Sequence, residues 1–225
     1  MSVTTVGIFS LAIIFSLTAR GQKIDFESSS SLADNGRTTR SLGDDDKLKV
    51  TVYYETLCPD SVSFITYQLV PAWGRYRNQM DLKLVPFGKS YIDESNPSRP
   101  VYHCQHGRRE CTLNILHGCI LDKLPFDKAF PVVGCLMQSM RSSFDQCIVP
   151  NVAERNDIQE CARGSRGASL YKQFSDDTNQ VATPLSFVPT IVVNGAYDIF
   201  EQDQWLYRFD RTFRQEYEKV FNRTL

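Results

Sequence analysis

An α/β domain interrupted by a disulfide-rich helical insertion is predicted by three observations. Residues 48–88 read as strand, helix, strand, the spacing of a parallel βαβ pair. From Cys104 to Cys161 strand character disappears, six cysteines crowd together and the apolar residues take helical spacing. Strand character resumes at residue 187, and an every-fourth-residue aromatic pattern then closes the chain.

Taken in order, residues 7–19 form an apolar run too short to span a bilayer comfortably, followed by the small-x-small pattern Ala19-Arg20-Gly21. Residues 1–21 are therefore expected to be a signal peptide, a signal anchor being the alternative. Residues 22–46, rich in Ser, Asp and Gly without apolar period, are expected to be a disordered leader ahead of a domain spanning 47–225. In that domain Leu48, Val50, Val52 and Tyr54 alternate as a strand requires, and Val62, Ile65, Leu69 and Trp73 then recur on one helical face. Pro71 should kink or end that helix, because it lacks the N–H that would bond Tyr67. Residues 81–88 read as a second strand and 89–103 as a loop. The insertion, about 104–180, holds helical patterns at Leu113–Leu116–Ile120–Leu124, at Phe126–Phe130–Val133–Met137 across Pro131, and around 158–174. Thr190 to Val193 is a strand, Asn194-Gly195 a type I′ turn, and a cis Val188–Pro189 bond would explain a proline at a strand start. Trp205, Phe209, Phe213, Tyr217 and Phe221 give a closing amphipathic helix from Asp203. Asn222-Arg-Thr224 is the acceptor sequon for glycosylation.

Composition limits the function classes. The 225 residues carry a formal net charge of −1, which offers no electrostatic basis for nucleic acid or an anionic membrane surface as principal partner. Nothing after the N-terminal run is apolar enough to be a transmembrane helix, so no membrane association is expected once a signal is cleaved.

Seven cysteines in an oxidising compartment cannot all pair. Cys58 is the natural odd one out. It lies well before the other six, Cys104, Cys111, Cys119, Cys135, Cys147 and Cys161, and at a strand-to-helix junction. Pro59 suits the first helical position, which makes Cys58 the N-cap and puts Ser61 one turn on. Converging backbone N–H groups there favour a thiolate, although Asp60 opposes them. A plain structural half-cystine is the alternative. Six cysteines allow 15 pairings; if Cys111 and Cys119 share a helix they stand ~12 Å apart, which excludes a bond between them. Zinc held by these cysteines with His103, His106 and His117 is a weaker reading, since paired Cys-x-x-Cys spacings are missing, and no metal is expected.

The stretch Cys104-Gln-His106-Gly-Arg-Arg-Glu110-Cys111-Thr-Leu-Asn114-Ile-Leu-His-Gly-Cys119 resembles the CQHGxxECxxNxxxxC signature of the gamma-interferon-inducible lysosomal thiol reductase family, matched at every fixed position. The element order is similar to that of a thioredoxin-like domain, and the likeness covers about residues 48–220. The resemblance implies a thioredoxin-like fold and a soluble reductase of protein disulfides in the secretory and endolysosomal route, secreted or lysosomal, with a role in host defence or antigen processing. It places Pro189, with Val188, beside Cys58 in a peptide groove. One departure matters: where family members carry Cys-x-x-Cys, this chain has Cys58-Pro59-Asp60-Ser61. Only Cys58 carries over as nucleophile. Ser61 becomes a hydrogen-bond partner of the thiolate, and the mixed disulfide awaits an external thiol such as cysteine or glutathione, with no other cofactor. The rival expectation is a non-catalytic peptide-binding protein or chaperone that has lost dithiol turnover.

Overall fold

The central strand β1 (Leu48–Tyr54) shows why this chain nucleates a sheet where it does. Leu48, Val50, Val52 and Tyr54 are fully buried, while Lys49 points to solvent. The computed structural model describes residues 46–138 and 143–225. The expected signal peptide and residues 22–45 of the expected leader lie outside the described residues.

β1 pairs in parallel with β2 (Met80–Pro86), from Leu48↔Met80 to Tyr54↔Pro86, and antiparallel with β5 (Thr190–Val193), from Val50↔Val193 to Tyr53↔Thr190. The sheet order is β2-β1-β5. Covered on both faces, the C-terminal half of β1 is buried without alternation, as a central strand should be. After Val193 the chain reverses through Asn194 and Gly195, both at positive φ, and Val193 bridges Ala196. That is the conformation an Asn-Gly hairpin turn demands.

The helix after β1 does not stop at Pro71. It runs as α1 (Pro59–Phe64), a π-helical turn over Ile65–Leu69, and α2 (Val70–Tyr76). There the Val70 N–H bonds the Ile65 carbonyl five residues back, so the expected interruption at Pro71, which has no N–H to give, becomes a change of helical pitch. Residues 89–103, expected to be a loop, contain β3 (Tyr91–Asp93) and β4 (Val101–His103), a two-stranded antiparallel sheet with Tyr91 opposite His103. Their rings stack at 4.3 Å. Three-residue strands are too short to show a period, which is why sequence missed them.

The insertion is helical: α3 (Arg108–Lys123), α4 (Phe126–Gln138), the short α5 (Phe144–Cys147), a 3₁₀ segment over Val149–Glu154, α6 (Arg155–Arg163) and α7 (Ser165–Val181). Disulfides Cys104–Cys111, Cys119–Cys161 and Cys135–Cys147 tie these helices together. Trp73 and Phe130 meet edge-on at 5.1 Å and Phe87 lies 4.8 Å from Tyr171, so aromatic side chains seat the insertion on the α/β platform. Each large side chain buried this way contributes roughly 1.5–3 kcal/mol.

The closing helix is two helices. α8 (Gln202–Tyr207) and α9 (Phe209–Phe221) are separated at Arg208, whose φ/ψ of −140°/36° is not helical. The apolar stripe crosses the break: Trp205, Phe209, Phe213 and Tyr217 are all buried. Among the described residues no helix is long and apolar enough to cross a membrane.

Candidate active site

β1 delivers the chain to a turn whose last residue is Cys58. Its extended backbone (φ −68°, ψ 122°) makes it the N-cap of α1, Pro59 occupies the start of the helix, and the Cys58 carbonyl accepts the Val62 N–H at 2.9 Å. Cys58 is the free cysteine of the seven. It is 7% exposed, and its Sγ–H donates to the Val188 carbonyl at 3.8 Å. The Val188–Pro189 bond is cis. Tertiary structure thus brings Cys58, Val188 and Pro189 together across 130 residues of chain. Ser61 lies fully buried in the first turn, and its Oγ accepts the Glu55 N–H at 3.3 Å. That bond ties Ser61 to the end of β1.

Beside this turn lies a cavity of about 420 Å³ lined by Asp60, Phe64, Val188, Pro189, Ile199 and Leu206, among others. Its apolar wall comes partly from the segment between the Asn194-Gly195 turn and α8. There Ile199 is exposed and Phe200 is 91% exposed, and Tyr207 at the end of α8 is exposed as well. Sequence reasoning passed over Ile199 and Phe200. Their signal was two adjacent apolar side chains in a loop, outside any periodic pattern.

The Cys104–Cys119 stretch packs against the same turn. Gly107, at φ 81°, is the N-cap of α3, a backbone position that favours glycine. One turn later Glu110 and Asn114 are fully buried. Asn114 Oδ1 accepts from the Thr56 N–H at 3.0 Å and from the Thr56 hydroxyl at 2.8 Å, two residues before Cys58. His106 Nδ1 bonds Glu110 Oε2 and stands 3.6 Å from Glu55 Oε2. Glu55 Oε1 accepts the Lys89 N–H at 2.7 Å. Burial, with the Glu110 carboxylate facing it, pushes the Glu55 carboxyl up to about 7. Further along α3, His117 Nδ1 meets the Tyr54 hydroxyl at 2.9 Å, and burial pushes its imidazole down to about 3, so the ring is neutral.

These contacts separate the three histidines. His103 stacks on Tyr91, His117 pairs with Tyr54, and His106 joins two carboxyl groups. The weaker reading of zinc on the cysteines falls, because Cys104, Cys111 and Cys119 are all in disulfides. Cys104 Sγ also lies 3.2 Å from both the Ser90 and the Tyr171 hydroxyls. Asn222 is the exposed C-cap of α9 in the left-handed conformation, φ 52°.

The family model described as gamma interferon inducible lysosomal thiol reductase matches residues 49–164. That is more than half of the chain, and it spans both the Cys58–Ser61 turn and the Cys104–Cys119 stretch. The chain belongs to this family. Among its relatives, the gamma-interferon-inducible lysosomal thiol reductase-like protein of Anopheles gambiae is 34% identical over 170 residues, 68% of this chain and 69% of that one. The gamma-interferon-inducible lysosomal thiol reductase of Mus musculus is 34% identical over 161 residues, 69% and 64% of the two chains. Among solved structures, BdbD from Bacillus subtilis superimposes with a TM-score of 0.53 at 14% identity, over 78% of this chain and 90% of that one. DsbA of Chlamydia trachomatis gives 0.50 at 13%, over 84% and 98%. At such identities the likeness is one of fold, and the fold is thioredoxin-like. Family membership assigns the chain to the thiol reductases, whose chemistry requires an accessible or exposable thiol; Cys58 is the free one.

Proposed function

We propose that this protein is a monothiol reductase of protein disulfides, with Cys58 its sole nucleophile. One observation carries the reading: the one unpaired cysteine of seven is the N-cap residue of α1, next to Val188 and Pro189 and beside a groove lined by polar and apolar side chains. Backbone N–H groups at a helix start stabilise a thiolate. The Ser61 oxygen already accepts the Glu55 N–H, which leaves its own proton to donate to that thiolate. Val188 and Pro189 hold the substrate segment, and exposed backbone there pairs with an extended peptide.

The Cys58 thiolate attacks one sulfur of the substrate disulfide, forms a mixed disulfide and releases the other substrate sulfur as a thiolate, which takes a proton. Ser61 cannot displace the remaining sulfur. An external thiol such as cysteine or glutathione attacks the Cys58 sulfur and releases the second substrate thiol; a second external thiol then frees Cys58. Two external thiols become one disulfide as one substrate disulfide becomes two thiols. Three disulfides within the insertion suit an oxidising compartment, and the setting we infer is the secretory route, secreted or lysosomal, in host defence or antigen processing. In that setting the Asn222 sequon is the glycan acceptor.

The test is reduction of a denatured disulfide substrate with cysteine as reductant. Cys58→Ala should lose essentially all acceleration over cysteine alone; equal rates for the two proteins would overturn the proposal. The burial of Cys58 favours a second reading, a non-catalytic peptide binder that uses the same groove. Alkylation of the native protein separates them: one fast-reacting thiol marks the reductase, none marks the binder.

A further inference from the structure

We propose that Glu55, His106 and Glu110 form a binding site for a divalent cation of the zinc class, which clamps the N-terminus of α3 to the end of β1. One ligand atom from each residue lies within 4.8 Å of the others. Donors bound tetrahedrally to one zinc at ~2.1 Å stand about 3.4 Å apart; His106 Nδ1 lies 3.6 Å from Glu55 Oε2 and in direct hydrogen-bond contact with Glu110 Oε2. An ion therefore replaces the proton of that contact and parts the two groups, a movement open to His106 because its side chain is 36% exposed and lies on the path of entry.

A second observation points to a missing ligand. Glu55 Oε2 and Glu110 Oε1 are buried oxygens without a hydrogen-bond partner, on side chains that are fully buried. Buried carboxyl oxygens left this way are costly unless a proton or a cation lies against them. The position of Glu55 is built in: Gly88, at φ 62°, passes so close that a Cβ there would clash with Glu55 Cγ. Lys89 and Tyr171 are the other titratable groups facing the carboxyls. One imidazole nitrogen and two carboxylates are a borderline donor set that suits Zn²⁺ better than Mg²⁺, which prefers oxygen and retains water.

The experiment is calorimetric titration of Zn²⁺ into full-length protein carrying Cys58→Ala, so that the free thiol cannot bind the metal. One ion per chain, with proton release, is expected. His106→Ala and Glu110→Gln should each weaken binding roughly tenfold or more, while His103→Ala, on the separate two-stranded sheet, leaves it unchanged. If Glu110→Gln does not fold, the half-exposed His106 decides alone, with its fold checked by circular dichroism. No saturable binding, or binding undiminished by His106→Ala in a folded protein, overturns the proposal.

Discussion

Two turns in this molecule place a cysteine at the start of a helix, and they put it to opposite uses. At the first, Cys58 caps α1, remains a thiol and faces Val188 beside a groove. At the second, Cys111 enters the first turn of α3 already bonded to Cys104, seven residues back. A helix N-terminus therefore does not by itself make a cysteine reactive; the presence or absence of a second cysteine within reach decides. The second turn supports the first. Asn114 holds Thr56 and His106 stands beside Glu55, so the signature stretch grips the residues just before Cys58, and Glu55 in turn bonds Ser61 across the turn.

The comparison can be broken from the insertion side, where effects should be largest. Removing the Cys119–Cys161 disulfide with a double alanine variant, a separation of 42 residues, should cost about 4 kcal/mol, against about 2.5 kcal/mol for Cys104–Cys111, measured by denaturant unfolding. An equal cost for the two would show that chain entropy does not set their roles.

A smaller effect distinguishes the buried acid beneath the turn. Glu55 has a folded pKa raised from 4.5 to about 7. Its stabilisation is therefore full below about 4.5, declines as pH rises and is gone above about 7. The change is on the order of 2–3 kcal/mol. His117, lowered from 6.5 to about 3, has the opposite slope, with stability present above about 6.5 and lost as pH falls towards 3. With a chelator present, Glu55→Gln should remove the Glu55 slope and leave that of His117; parallel wild-type and variant profiles would contradict this.

The smallest change sharpens the comparison at the active turn itself. Ser61→Cys places a resolving thiol one helical turn from Cys58, at the buried position of the serine hydroxyl. The lifetime of the enzyme–substrate mixed disulfide, followed by acid quench and mass spectrometry, should shorten roughly tenfold or more because attack becomes intramolecular. An unchanged lifetime at fixed cysteine would mean that Ser61 was never the missing step.

Much of this was legible in the chain. Alternation at Leu48–Tyr54 and the Pro59 that follows Cys58 specify a strand, a cap and a helix within ten or so residues, because such signals depend only on neighbours. An odd cysteine count required an unpaired thiol, and position singled out Cys58. The three-residue strands at Tyr91 and Val101 left no period to read, and the break at Arg208 fell inside an unbroken aromatic stripe.

By itself, then, the sequence determined local form and valence: which of the longer segments are strand or helix, where the turn falls, and that one sulfur has no mate within the chain. Tertiary structure alone decided the three disulfide partnerships, the Val188 carbonyl over Cys58, the bond from Glu55 to Ser61, and the meeting of Glu55 with His106 and Glu110. The physical reason is range. Periodicity and capping act over one or two helical turns, whereas Cys58 meets Val188 only once β5 pairs with β1, and Glu55 meets His106 and Glu110 only once the insertion packs its apolar faces against the sheet.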